Sequence, residues 1–199
     1  MPTRIILIRH GQTPFGLKKR YCGLTDIDLN NKGKKQAKKL LPRLHKENIH
    51  KVYASDLKRA SNFAKLLFKE TSIKKSPPLR EINFGIFEGM RYEEIMKKYP
   101  VLYHRWLNDP LSTVIPKGER FSDFKKRIKR FFKKIVALNK NKTVAVVTHA
   151  GPIKIILNDI LKSNNLWGIK IDNASVSIIV NNKGKTHIEL FNETSYGNG

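Results

Sequence analysis

A chain of 199 residues, 40% of them hydrophobic, is long enough for one well-cored domain and too short for two full ones, so a single domain over residues 1–199 is expected. No apolar run approaches the roughly 18 residues that span a bilayer, the N-terminus lacks the layout of a secretion signal, and the single cysteine, Cys22, excludes an internal disulfide, which together predict a cytoplasmic protein without membrane contact. The 40 Lys and Arg against 16 Asp and Glu give a net charge of +24, but the excess is spread along the chain without zinc-finger spacing, an aromatic-interleaved RNA-binding signature or a basic tail, so nucleic acid is not the expected partner.

Residues 4–8 (RIILI) are mostly β-branched and apolar without alternation, the pattern of a strand covered on both faces. A loop is predicted from there to about residue 28. In NNKGKKQAKKLLPRLHK, Ala37, Leu40, Leu41 and Leu44 recur at helical spacing with lysines on the other face, and Pro42 is expected to kink or shorten that helix. HKVYAS reads as a second strand, with Ser55 placed as N-cap of a helix beginning DLKRAS. The glycines of REINFGIFEGM argue for a loop, followed by short helical stretches up to Leu107.

The clearest helix is predicted over residues 119–138, where Phe121, Phe124, Ile128, Phe131, Phe132 and Ile135 return every three or four positions with basic residues between them. KTVAVVTHAG is another apolar strand, Pro152 suits the first residue of the next helix, and ASVSIIV with THIEL reads as a closing hairpin. Strands alternating with helices predict an α/β three-layer sandwich around a mostly parallel sheet with an antiparallel edge strand, whose ligands sit beyond the carboxyl ends of the strands.

Two strands end alike: IILI runs into Arg9, His10 and Gly11, and VAVVT into His149, Ala150 and Gly151. Arg59 lies in the first turn of the helix after the second strand. If these strands are neighbours, two arginines and two histidines share one crevice, which makes sense around an anion, because guanidinium forks match phosphoryl oxygens bidentately. A helix starting at Pro152 would aim its first amides the same way, and Gly11 and Gly151 would let the backbone approach the ligand.

The motifs LIRHGQT, YASDLKRASNFAKLL, LREINFGIFEGM and VVTHAGPIK, in this order and spacing, resemble those of the histidine phosphatase superfamily, the phosphoglycerate mutase-like proteins. The resemblance covers essentially the whole chain. It implies that His10 is a nucleophile forming a phosphohistidine, and that Arg9, Arg59 and His149 hold the phosphoryl oxygens. Gln12, Thr13, Ala150 and Gly151 would line the phosphate, with Glu81 as general acid and base. Glu88 in the same motif and Glu119 in PKGER stay open as the acid, and Arg20 as a substrate contact. No cofactor and no metal are implied; the partner is a small phosphorylated substrate, and the protein a monomer or homodimer.

Three positions depart from the family pattern: Gly16 stands where many relatives have a phosphate-contacting asparagine, Arg120 replaces the serine after GE, and Phe87 replaces a tryptophan. The compact length resembles the phosphatases more than the mutases. The C-terminal hairpin and the PKGERFSDFKKRIKRFF block resemble the α-ribazole phosphatases of cobalamin synthesis. A cofactor-dependent mutase and a nonenzymatic polyanion binder are the alternative readings.

Overall fold

The computed structural model describes residues 1–163 and 168–196. Six strands form one sheet: β1 (Thr3–Arg9), β2 (Ile49–Ala54), β3 (Ile73–Lys75), β4 (Thr143–Thr148), β5 (Val176–Asn182) and β6 (Lys185–Glu193), in the order β3-β2-β4-β1-β5-β6. The first four are mutually parallel, whereas β5 runs antiparallel to β1 and pairs with β6 as the predicted hairpin. β3 was not foreseen: its three residues, IKK, are partly or wholly exposed and carry no apolar pattern.

The sheet is covered on both sides, which is why β1 shows no alternation. Ile6 and Ile8 face α2 (Asn31–His45) and α3 (Lys58–Leu67), while Ile5 and Leu7 face α6 (Phe121–Leu138) and α7 (Ala150–Leu161). All four side chains are fully buried, each contributing about 1.5–3 kcal/mol of hydrophobic free energy. A third cluster, built on Phe87, Ile95, Tyr103, Trp106 and Ile115, packs α4 (Tyr92–Lys98) and α5 (Pro100–Asn108) beside the carboxyl edge of the sheet. α1 (Pro14–Leu17) is a single turn inside the predicted loop, capped by Thr13 Oγ1, which accepts from the Gly16 amide at 3.0 Å.

Three local expectations are corrected. α2 is not shortened at Pro42 but runs on to His45; the proline sits in the last turn, and the Lys38 carbonyl it leaves without a helix donor belongs to an exposed residue that water can serve. Ser55 does not cap α3, whose N-cap is Leu57 without a side-chain bond. α7 begins at Ala150 rather than Pro152, with His149 as N-cap, so the proline falls where the helix has no amide bond to lose. The lysine-rich faces of α2 and α6 lie on opposite sides of the sheet, so the positive charge is not gathered on one face. No helix among the described residues is long and apolar enough to cross a membrane.

Candidate active site

The site is assembled by strand register. Arg9 is paired with Thr148 across β1 and β4, the His10 amide donates to the Thr148 carbonyl at 3.0 Å, and the Ser55 amide donates to the Val147 carbonyl at 2.9 Å. Ser55, His149 and His10 therefore each stand one residue past the ends of the neighbouring parallel strands β2, β4 and β1, at the carboxyl edge where such sheets bind ligands. The two imidazoles meet edge to face with centroids 5.1 Å apart.

Hydrogen bonds fix both tautomers. His10 Nδ1 lies 2.7 Å from the Gly11 carbonyl, which can only accept, so Nδ1 carries the proton and Nε2 the lone pair. Nε2 makes no hydrogen bond among the described residues. Burial, then the positive charges of Arg59 and Arg9, hold the His10 pKa well below the ordinary value of 6.5. His149 Nδ1 accepts from Arg59 Nε at 3.2 Å, so its Nε2 is protonated and donates to Ser55 Oγ at 2.9 Å. Its pKa is also held well down, chiefly by burial and then by Arg59.

Arg59, 1% exposed, is oriented from the far side. Its Nη2 donates to the Gly23 carbonyl at 2.6 Å and the Cys22 carbonyl at 3.3 Å, and Nη1 to the Thr25 carbonyl at 2.9 Å. Arg9 donates through Nη1 to the Ile171 carbonyl at 2.6 Å, while its buried Nε has no hydrogen-bond partner. An unsatisfied buried donor is costly, and a phosphoryl oxygen at the strand ends would satisfy it.

The three glutamates separate cleanly. Glu81, 8% exposed, accepts from the Gly151 amide in the first turn of α7 at 3.0 Å, which places it at the same strand edge as the histidines. Glu88 is consumed by structure: it accepts from the amides of Gly23, Leu24, Thr25 and Phe84 and from Thr25 Oγ1. Glu119 forms a two-pronged ion pair with Arg127 at 2.6 and 2.9 Å.

Other expected residues fall differently. The Gln12 side chain turns to Asn30, accepting from its Nδ2 at 2.9 Å, and the Gln12 amide donates to Gln36, so this residue ties the phosphate loop to the start of α2. Arg20 bonds the Gly89 carbonyl and Glu94 instead of reaching the site. Gly11 lies against Gly33, where a Cβ would sit 2.7 Å from the Gly33 carbonyl oxygen; close helix packing, besides ligand access, requires a glycine there. Ser55 and Arg127 are the site residues that sequence reasoning missed. Beside Glu81 a cavity of about 160 Å³ opens, walled by Phe84, Trp106, Phe121 and Phe124, with Lys154 on its lining.

Comparison with known proteins agrees with this geometry. The sequence model of the histidine phosphatase superfamily (branch 1) matches residues 5–194. The chain is 34% identical over 180 residues to phosphoserine phosphatase 1 of Hydrogenobacter thermophilus, covering 88% of this chain and 85% of the relative. It is 26% identical over 198 residues to the adenosylcobalamin/alpha-ribazole phosphatase of Escherichia coli, covering 98% of each. A crystal structure described as a putative alpha-ribazole-5'-P phosphatase from E. coli superposes with a TM-score of 0.91 at 26% identity over 100% of both chains. A phosphoglycerate mutase structure from Bacillus anthracis is matched over 95% of its own chain, with a TM-score of 0.86 and 26% identity, so compact length does not separate phosphatases from mutases here. With these matches spanning nearly its whole length, the chain belongs to the histidine phosphatase superfamily, branch 1, as a hydrolase of the phosphatase type.

Proposed function

We propose that the protein is a metal-independent phosphomonoesterase working through a phosphohistidine on His10. The preferred esters carry an apolar or aromatic group on the alcohol side, as α-ribazole phosphate of cobalamin synthesis does. The observation that carries the reading is the state of His10: one nitrogen is tied down by Gly11, the other keeps a lone pair, and burial, then the charges of Arg59 and Arg9, keep the ring unprotonated.

The Nε2 lone pair attacks phosphorus in line, forming the N–P bond as the ester P–O bond breaks. Glu81, in its protonated form, gives its proton to the leaving alcohol oxygen. Its carboxylate then takes a proton from water, the water oxygen attacks phosphorus, and the N–P bond breaks to release phosphate and free His10. Arg9, Arg59 and His149 offset the charge spread over the three equatorial oxygens. Positive charge from arginines supports independence of a metal.

The cavity beside Glu81 supports the substrate class. Its aromatic walls would strip water from whatever group follows the ester oxygen, which favours an apolar body over a zwitterion. The 34% identity to a phosphoserine phosphatase favours a second reading, with phosphoserine as substrate.

A panel of α-ribazole phosphate, phosphoserine, nucleotides, sugar phosphates and phosphoglycerates, assayed in EDTA and ranked by kcat/KM, decides between them. Leading values for α-ribazole phosphate support the proposal; leading values for phosphoserine reverse the substrate class. Phosphotransfer to phosphoglycerate without net hydrolysis would establish a mutase, and loss of turnover in EDTA would end the metal-independent account.

A further inference from the structure

Arg127 lies on α6, among the regularly spaced basic residues of that helix, and it turns its guanidinium onto the backbone of residues 78–81. Its Nη1 donates to the carbonyls of Pro78 and Arg80, both at 2.8 Å, and its Nη2 to the carbonyl of Glu81 at 3.0 Å. Nε and Nη2 also pair with the two oxygens of Glu119. The guanidinium is centred 4.8 Å from the ring of Phe124, the same ring that walls the cavity beside Glu81. One planar group thus grips the backbone that carries Glu81 at three carbonyls, those of residues 78, 80 and 81, and a carboxylate fixes the group in turn.

We propose that Arg127 is the positioning residue of the acid: with Glu119 as its brace, it fixes the backbone of residues 78–81 so that the Glu81 carboxyl meets the leaving oxygen. This rests on the reading that Glu81 protonates the leaving group. The physical reason is precision. Residues 77–79 form only a 3-10 turn and residues 82–84 are irregular, so no regular element orients Glu81 from its own segment. The Gly151 amide holds one carboxylate oxygen, and the Ile82 amide approaches the other at 3.1 Å, but neither fixes the path of the main chain. Arg127 does so from a rigid helix, and lysine, with a single point charge, cannot reproduce the planar fork.

The geometry also joins the acid to the cavity. Phe124 is shared by both: it lines the cavity beside Glu81, and its ring centroid lies 4.8 Å from the Arg127 guanidinium, so a body seated against Phe124 would touch the side chain that packs on the residue aligning Glu81. Binding energy from the alcohol side would then bear on the proton-transfer step.

The test uses leaving groups of graded basicity. Protonation matters most for alkyl phosphates and little for p-nitrophenyl phosphate, whose anion departs unaided, and kcat/KM reports the step that forms the phosphoenzyme. In Arg127→Met, kcat/KM for alkyl phosphates should fall about 100-fold while that for p-nitrophenyl phosphate falls less than about fivefold. Arg127→Lys and Glu119→Gln, which retain more of the packing, should show the same selective loss in weaker form, and they carry the test if Arg127→Met fails to fold. Arg127→Met added to Glu81→Gln should cost the alkyl phosphates no more than Glu81→Gln alone. Equal losses across the series in the Arg127 and Glu119 variants, with a selective loss in Glu81→Gln, would overturn the proposal and leave Glu81 as the acid. Equal losses in Glu81→Gln as well would remove the reading on which the proposal stands.

Discussion

Glu88 and Arg59 hold the same turn from opposite chemical sides: the carboxylate takes the amides of residues 23–25, and the guanidinium takes the carbonyls of Cys22, Gly23 and Thr25. This turn is the seat of the buried arginine, and its Nε in turn orders His149. A glutamate that the sequence leaves open as an acid is thus the anchor beneath the phosphate clamp.

The anchor and the acid predict opposite phenotypes. Glu88→Gln exchanges acceptor-only oxygens for an amide that cannot serve all these donors, and should lower the free energy of unfolding by about 1–3 kcal/mol. Glu81→Gln should leave stability within about 1 kcal/mol of the parent, since the Gly151 amide keeps an acceptor, while lowering kcat by about 100-fold or more. Urea unfolding and steady-state kinetics on the two variants separate the roles. Loss of turnover at unchanged stability in Glu88→Gln would exchange them.

Gly151 is as restrictive as the carboxylate it meets. A Cβ there would overlap Glu81 Oε1 and come within 2.9 Å of Phe124 Cζ. Gly151→Ala should therefore push the acid out of line, reducing kcat by 10-fold or more at a stability cost of about 1–3 kcal/mol. Wild-type kcat in this variant would show that the carboxylate has room to act from elsewhere.

Both central histidines make stability depend on pH. Their folded-state pKa values lie below 6.5, so between those values and 6.5 the unfolded chain binds protons that the folded chain refuses. Stability must then fall as pH drops below 6.5, by up to about 1.4 kcal/mol per pH unit for each histidine. Unfolding free energies measured from pH 7.5 to 5 should show this slope, and His10→Gln should reduce it. The same lowered pKa moves the acid limb that protonation of His10 sets in kcat/KM below pH 6.5. A stability that rises on acidification through this window would contradict the assignment.

Much of this was legible in the sequence because periodicity and strand-end chemistry are local signals. The unbroken apolar run of residues 5–8 reads as a covered strand, and the repeat of a histidine and a glycine after two such strands placed both imidazoles at one edge. What could not be read depends on which partner a polar side chain chooses in three dimensions. Ser55 has the composition of a helix cap, but the register of β2 beside β4 sets it against His149, and Leu57 takes the cap position. Arg127 sits among similar basic residues on α6; its place beside Ile128 and three positions after Phe124, at the rim of the apolar stripe, was the one available hint. Glu81 and Glu88 share a motif, and only the fold shows that the nearby amides already claim the second.

The central claim is that phosphorus passes through His10, and the direct measurement is rapid quenching of the enzyme during turnover of a labelled phosphomonoester. A phosphoramidate is labile to acid and stable to alkali, so an alkaline quench followed by peptide mass spectrometry should find the phosphoryl group on His10, with no phosphoenzyme in His10→Ala and turnover there reduced at least about 1000-fold. Label recovered on another residue, or turnover near the parent level in His10→Ala, would contradict the account.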